Sequence, residues 1–239
     1  MVVKSELKLI KSLQQKKYRN EHGLFVVEGK KSIEEVVNSN FRCYGIYVTE
    51  PLEVNVTKDK VNLISRKELA QISSLKNPNG FLGVFYIPEK INEFQSDWIM
   101  VLDGVQDPGN LGTIIRLCDW FGVVDIVCST DTVDCYNPKV LQATMGSITR
   151  VNVQYKPLDA FLKSTQLPIY GTFMNGDNVN TTQLPEKGIM VMGNEGKGVS
   201  DAIAKLCTHR LTIPQYGGET TESLNVASAT AILLHEIRK

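Results

Sequence analysis

Apolar residues spaced by three at Leu7, Ile10 and Leu13 predict an amphipathic first helix that Ser5 is placed to cap. Short apolar runs at 24–27, 44–48, 61–64 and 81–87 predict strands, and Ile33, Val36 and Val37 mark the inward face of a helix over 32–37. Ser65 and Glu68 have the spacing of a capping box ahead of a short helix carrying Leu69 and Ile72. This small α/β pattern stops near Pro88, where the polar stretch PEKINEFQSD reads as a connection. The alternation then restarts. Strands at 98–102, 123–128, 150–155, 169–172, 188–192 and 210–213 interleave with helices at 110–121, 138–145, 158–164, 199–207 and 223–237, and Leu111, Ile114, Ile115 and Cys118 face the core. Strand and helix in strict turn predict a parallel sheet covered on both faces. The fold class expected is therefore α/β in two domains: 1–90, a linker over 91–96, and 97–239.

Composition removes several classes. Of 239 residues 42% are hydrophobic, but no apolar run reaches the roughly 18 to 20 residues that cross a bilayer, and the N-terminus carries charges where a signal peptide needs its apolar stretch. No membrane association is expected. The five cysteines form no CxxC and have no histidine at ligand spacing, so neither a disulfide framework nor a metal site is indicated, and reduced thiols in a cytoplasmic protein are the plain reading. The 26 basic and 26 acidic side chains cancel, which by itself lacks the basic excess of a nucleic-acid binder. The halves differ, however. Residues 1–90 hold 15 Lys and Arg against 10 Asp and Glu, whereas residues 91–239 hold 11 against 16. The basic excess lies almost wholly in 1–31, with Lys11, Lys16, Lys17 and Arg19 at its centre, and suggests a local polyanion contact.

Three strand-to-helix junctions carry the candidate chemistry, at the position where open parallel sheets bind ligands. In LDGVQDPGNLGTIIRLCDWFG, Asn110 is suited to cap a helix, and Arg116 lies among apolar residues where a guanidinium needs solvent or an anion. In GIMVMGNEGKGVS, Gly193, Gly196 and Gly198 surround Glu195 directly after a strand, allowing close backbone approach or positive φ. That run matches neither G-x-G-x-x-G nor the P-loop, and a tight structural turn explains it equally well. In LTIPQYGGETTESLNVASATAILLHE, Pro214 ends a strand at Ile213, a polar loop follows, and Ser223 or Asn225 begins a helix rich in small residues.

Together NLGTIIR, MGNEGKG and IP…ESLNVASA, in this order, resemble the three signature motifs of the SpoU (TrmH) family of RNA ribose 2′-O-methyltransferases, within the SPOUT superfamily. The resemblance covers about 97–239. The stretch KLIKSLQQKKYRNEHGLFVVEGKKSIEE is similar to the substrate-binding domain many members carry, itself related to RNA-binding ribosomal proteins. The resemblance implies a parallel-sheet domain with a deep trefoil knot, a homodimer, and S-adenosylmethionine as cofactor, held by Gly193, Gly196, Ile213 and Leu224. It also implies that Asn110, Arg116, Glu195, Ser223 and Asn225 are the catalytic positions, that Arg116 contacts RNA as well, and that rRNA is the substrate, with tRNA as the alternative. The loop at 215–222, which carries Glu219 and Glu222, is longer than in some relatives.

Methyl transfer to a ribose hydroxyl is an in-line displacement, so alignment of the reactants and removal of the hydroxyl proton are what the residues must supply. The family's proposed proton acceptor corresponds to Arg116, a side chain normally charged at any physiological pH. Binding an RNA phosphate and stabilising the developing alkoxide is the other role open to it. His22, His209 and His235 lie outside the motifs and read as surface or core residues. A non-catalytic RNA-binding or ribosome-assembly factor is the rival class, and it has no need of all five motif residues together.

Overall fold

The computed structural model describes residues 2–89, 93–217 and 222–239. They form two compact units, 2–89 with Asp134–Thr149, and 93–133 with 150–239.

The first unit is a four-stranded sheet in the order β1-β4-β2-β3, built from β1 (Leu24–Glu28), β2 (Cys43–Val48), β3 (Val61–Leu63) and β4 (Phe81–Tyr86). The helices α1 (Lys4–Ser12) and α4 (Arg66–Ile72) cover one face, burying Leu7, Ile10, Leu13, Leu69 and Ile72 with Leu82 and Val84. β4 alternates, so Gly83 faces the other way, against Ile33 of α3 (Lys30–Val37). The Ser65–Glu68 capping box forms as the sequence predicts. Ser5 does not cap α1; Val3 occupies that position, and no side chain accepts from the helix. A further helix, α2 (Lys16–His22), has too short an apolar pattern to be read from sequence.

Residues 134–149 differ from the continuous 97–239 segment expected from the sequence, because they pack within this first unit. They carry α6 (Pro138–Thr144), whose Val140, Leu141 and Thr144 are buried. Tyr136 lies 4.8 Å, ring to ring, from Phe25 of β1. Asp134 accepts from the guanidinium of Arg19, which also donates to the Leu13 and Gln14 carbonyls. Arg19 is 2% exposed. It is therefore a structural cation, and the expectation that it meets RNA is corrected: a guanidinium committed to three internal acceptors offers no charge to a polyanion.

The second unit is a six-stranded parallel sheet in the order β10-β8-β9-β5-β6-β7. Its strands are β5 (Trp98–Leu102), β6 (Asp125–Cys128), β7 (Asn152–Tyr155), β8 (Ile169–Asn178), β9 (Gly188–Met192) and β10 (His209–Thr212). The helices are α5 (Pro108–Trp120), α7 (Leu158–Ser164), α8 (Asp201–Ala204) and α9 (Val226–Ile237). Central β5 and β9 are buried throughout, as continuous apolar runs in a parallel sheet should be. The chain winds outward from β5 to β7, crosses back to β8, and inserts β9 beside β5. The order reverses there, so the carboxyl ends of β5 and β9 form the crevice where such sheets take ligands. α8 is shorter than the nine-residue helix expected. β8 runs beyond the predicted strand to Asn178, with residues 172–176 bulging out between the Arg210–Gly171 and Leu211–Asp177 pairs. Among the described residues no helix is long and apolar enough to cross a membrane, and no group of His, Cys, Asp and Glu could hold a metal.

Candidate active site

The three junctions meet at the carboxyl ends of β5 and β9. After β5 the chain turns at Gly104, and Asp107, not Asn110, caps α5 by accepting from the Asn110 N–H at 2.9 Å. With Asp107 as the cap, the Asn110 side chain is available for other partners. Its amide donates to Glu195 Oε1 at 3.0 Å, and its carbonyl oxygen accepts from the Asn225 amide at 2.9 Å. Asn225 is the true cap of α9, accepting from Ala227 and Ser228 N–H groups. A continuous chain thus runs from the backbone of α9 through Asn225 and Asn110 to Glu195.

Glu195 is the anchor. Besides Asn110 it accepts the backbone N–H groups of Gln106 at 3.1 Å and Asp107 at 3.0 Å. Partial burial pushes its carboxyl upward, but these hydrogen bonds outweigh that effect and hold it below the usual glutamate range. It is a weak base, and its oxygens are already engaged.

Loop 194–198 after β9 is shaped by its own backbone. Asn194 and Gly198 exchange two backbone hydrogen bonds of 2.9 Å. A Cβ on Gly193 would stand 2.1 Å from the Gly198 carbonyl carbon, so only glycine fits there; Gly198 itself has φ +70°. Gly196, by contrast, is open: a Cβ there would meet only Asn194 Oδ1, at 3.7 Å. Sequence reasoning passed over Asn194, although an Asn before x-Gly signals an Asx turn. Its Oδ1 accepts from Gly196 and Lys197, and its amide donates to the Gly104 carbonyl at 2.6 Å, tying the second junction to the first.

Arg116 and Ser223 are exposed and have no hydrogen bond or ion pair among the described residues. Arg116 shares the outer stripe of α5 with Thr113 and Trp120. It lies about 9 Å along the axis from Asn110, with a side chain that leans toward the N-terminal end where the cluster sits. Ile213 is half-buried just after β10, and Leu224, beside Asn225, is 53% exposed. All three histidines are exposed and lie outside this cluster. Glu219 lies outside the described residues.

Residues 97–235 match the SpoU rRNA Methylase family. This chain belongs to that family. Residues 4–83 of this SpoU-family protein match an MRM3-like substrate binding domain. The chain is 31% identical over 95% of its length to the 23S rRNA (guanosine(2553)-2′-O)-methyltransferase RlmP of Bacillus subtilis, covering 94% of that relative. It is 27% identical over 90% of its length to the 23S rRNA (guanosine-2′-O-)-methyltransferase RlmB of Neisseria meningitidis, covering 86% of it. Among solved structures, a TrmH-family protein from Porphyromonas gingivalis superposes with a TM-score of 0.91 at 36% identity, over 100% of this chain and 98% of that one. An AdoMet-bound rRNA methyltransferase from Sinorhizobium meliloti superposes at 0.85 with 27% identity, over 100% and 96%. The family expected from the three motifs is present, and the six-stranded parallel sheet matches the solved structures of that family.

Proposed function

We propose that this chain transfers a methyl group to a ribose 2′-hydroxyl of ribosomal RNA, with S-adenosylmethionine as donor. The observation that carries the reading is the Asn225–Asn110–Glu195 chain, which locks all three motif junctions into one cluster at the crevice of the sheet. The residues fit the cofactor: the open backbone at Gly196, the close-packed turn at Gly193 and the apolar Leu224 next to Asn225 adjoin that cluster, the half-buried Ile213 lies just after β10, and the acidic excess of 91–239 suits a sulfonium cation. When bound, S-adenosylmethionine supplies the electrophilic methyl group.

Asn110, Asn225 and Glu195 hold the junctions in register, because their polar atoms are already paired with one another and with backbone. Arg116 holds an RNA phosphate and stabilises the alkoxide that develops at the 2′-oxygen as its proton passes to solvent water; the Ser223 hydroxyl orients the ribose. The exposed Lys11, Lys16 and Lys17 extend the RNA contact. Trp120 of α5, 85% exposed, and Ile232 of α9 are exposed apolar side chains on two helices that pack together, a surface suited to a second copy of the chain. The protein acts in the cytoplasm on rRNA.

Purified protein incubated with an unmethylated 23S rRNA transcript and labelled S-adenosylmethionine is expected to leave one ribose resistant to alkaline hydrolysis. Absence of transfer, together with calorimetry showing affinity for neither S-adenosylmethionine nor its demethylated product, would defeat the proposal. Arg116→Ala is expected to abolish transfer while cofactor affinity stays within about twofold; near-normal turnover would remove Arg116 from the chemistry.

A further inference from the structure

The outward surface of the α1/α4 layer is predominantly cationic. Lys4, Lys8 and Lys11, spaced by four and three, form one exposed stripe on α1, and Arg66 and Lys67 are exposed in the first turn of α4. None of these five has an ion-pair or hydrogen-bond partner among the described residues. The two helices pack on the same sheet face, and Gln14 joins their carboxyl ends by donating to the Ile72 and Ser73 carbonyls.

The acids of this layer offset only part of the charge: Glu6, which accepts from Tyr47 Oη at 2.5 Å, and Glu68, which accepts from the Ser65 backbone and hydroxyl at 2.7 Å in its capping box, stand against the five cations and leave a clear positive excess. Lys4, Arg66 and Lys67 also stand in the first turns of their helices, where the macrodipole disfavours cations. They do not serve helix stability. On the opposite sheet face, α3 presents Lys30 and Lys31 with Glu34 and Glu35, and Lys30 lies 4.0 Å from Glu34. That face is balanced. On the same sheet face, where Tyr86 packs against this core, the exposed Arg42 is stacked at 3.8 Å over the Tyr86 ring.

We infer that the α1/α4 face of the first unit is the surface that docks the RNA sugar-phosphate backbone, with Lys4, Lys8, Lys11, Arg66 and Lys67 as phosphate contacts and Arg42 as a planar clamp. This rests on the RNA reading above and deepens it. The docking charge spans two helices more than fifty residues apart in sequence, and it includes neither the buried Arg19 nor α3.

The test measures affinity of the full chain for an unmethylated 23S rRNA transcript across a salt series. Each phosphate contact contributes about 0.7 to 0.9 to the slope of log K against log salt. The triple variant Lys4→Ala/Lys8→Ala/Lys11→Ala is expected to flatten the slope by about 2 to 3, and Arg66→Ala/Lys67→Ala by about 1.5. The control Lys30→Ala/Lys31→Ala should leave it unchanged, and the triple Lys→Arg variant should restore it. Equal slopes for wild type and triple variant, or an equal loss in the control, would overturn the inference. Methyl transfer is scored separately. A wild type that binds with the expected slope changes but transfers no methyl would defeat the enzymatic reading and leave this one standing.

Discussion

Asn225 and Asn110, 115 residues apart in the chain, share a 2.9 Å amide-to-amide hydrogen bond that fixes how each side chain points. Asn225 Oδ1 must face the α9 N–H groups it caps, so its amide must donate. Asn110 must then accept with its oxygen and turn its own amide to Glu195. The proton pattern is determined along the whole chain, which is why the pair tests the site.

Asn225→Ala removes both the cap and the donor, and is expected to cost about 1 kcal/mol of stability and more than tenfold in methyl transfer. Asn225→Asp keeps the cap but loses the donor to Asn110. It should leave thermal stability within about 0.5 kcal/mol of wild type and still lower transfer. Equal activity of Asn225→Asp and wild type would show that only the cap matters.

Arg238 fastens the other end of α9. It donates to the Phe121 and Gly122 carbonyls at 2.7 and 3.0 Å and to Asp97 at 2.5 and 3.0 Å. The Arg238 hydrogen bonds are the main reason the Asp97 carboxyl is held below the usual aspartate range. A carboxyl depressed in the folded state stabilises above its unfolded value, near pH 4, and that contribution is lost as pH falls through the folded value. Arg238→Ala should cost about 1 to 2 kcal/mol at pH 7, discounted for the partial exposure of both groups, or about 2 to 8 °C in melting temperature. The gap from wild type should narrow below pH 4. A gap constant from pH 3 to 7 would contradict the ion pair.

Arg19→Met strands the Asp134 carboxylate, which is only 13% exposed, and is expected to cost about 3 kcal/mol or more. Arg19→Met/Asp134→Leu should recover most of that loss, and in the double variant the salt slope of RNA binding should match wild type. A flattened slope would return Arg19 to the RNA contacts.

Gln154, buried on β7, has neither side-chain polar atom hydrogen-bonded among the described residues. Its neighbour across the sheet is Val127. Gln154→Leu is expected to raise stability by about 1 kcal/mol, readable in urea denaturation as a higher midpoint at constant slope. A lower midpoint would mean that the amide has a partner in solution.

The period of apolar residues determined most of the elements. Leu111, Ile114, Ile115 and Cys118 are buried on α5 as their spacing requires, and the unbroken apolar runs of β5 and β9 lie in the centre of a parallel sheet. The motif residues Asn110, Glu195 and Asn225 were legible only through the resemblance of the three junctions to the SpoU motifs, since an Asn at a strand end by itself reads as a cap or turn. Their hydrogen bonds to one another were not. A sequence shows that Asn110 suits a helix cap; only the folded chain shows that Asp107 took that place and released Asn110 to Glu195. Charge was misread in the same way. Arg19 counts like Lys11 in a sum, yet one is buried against Asp134 and the other is exposed, because net charge carries no information about burial. The placement of α6 belongs here too. Periodicity gives it an apolar face through Val140 and Leu141 but cannot say which sheet that face will cover, and packing on β1 alone decided that.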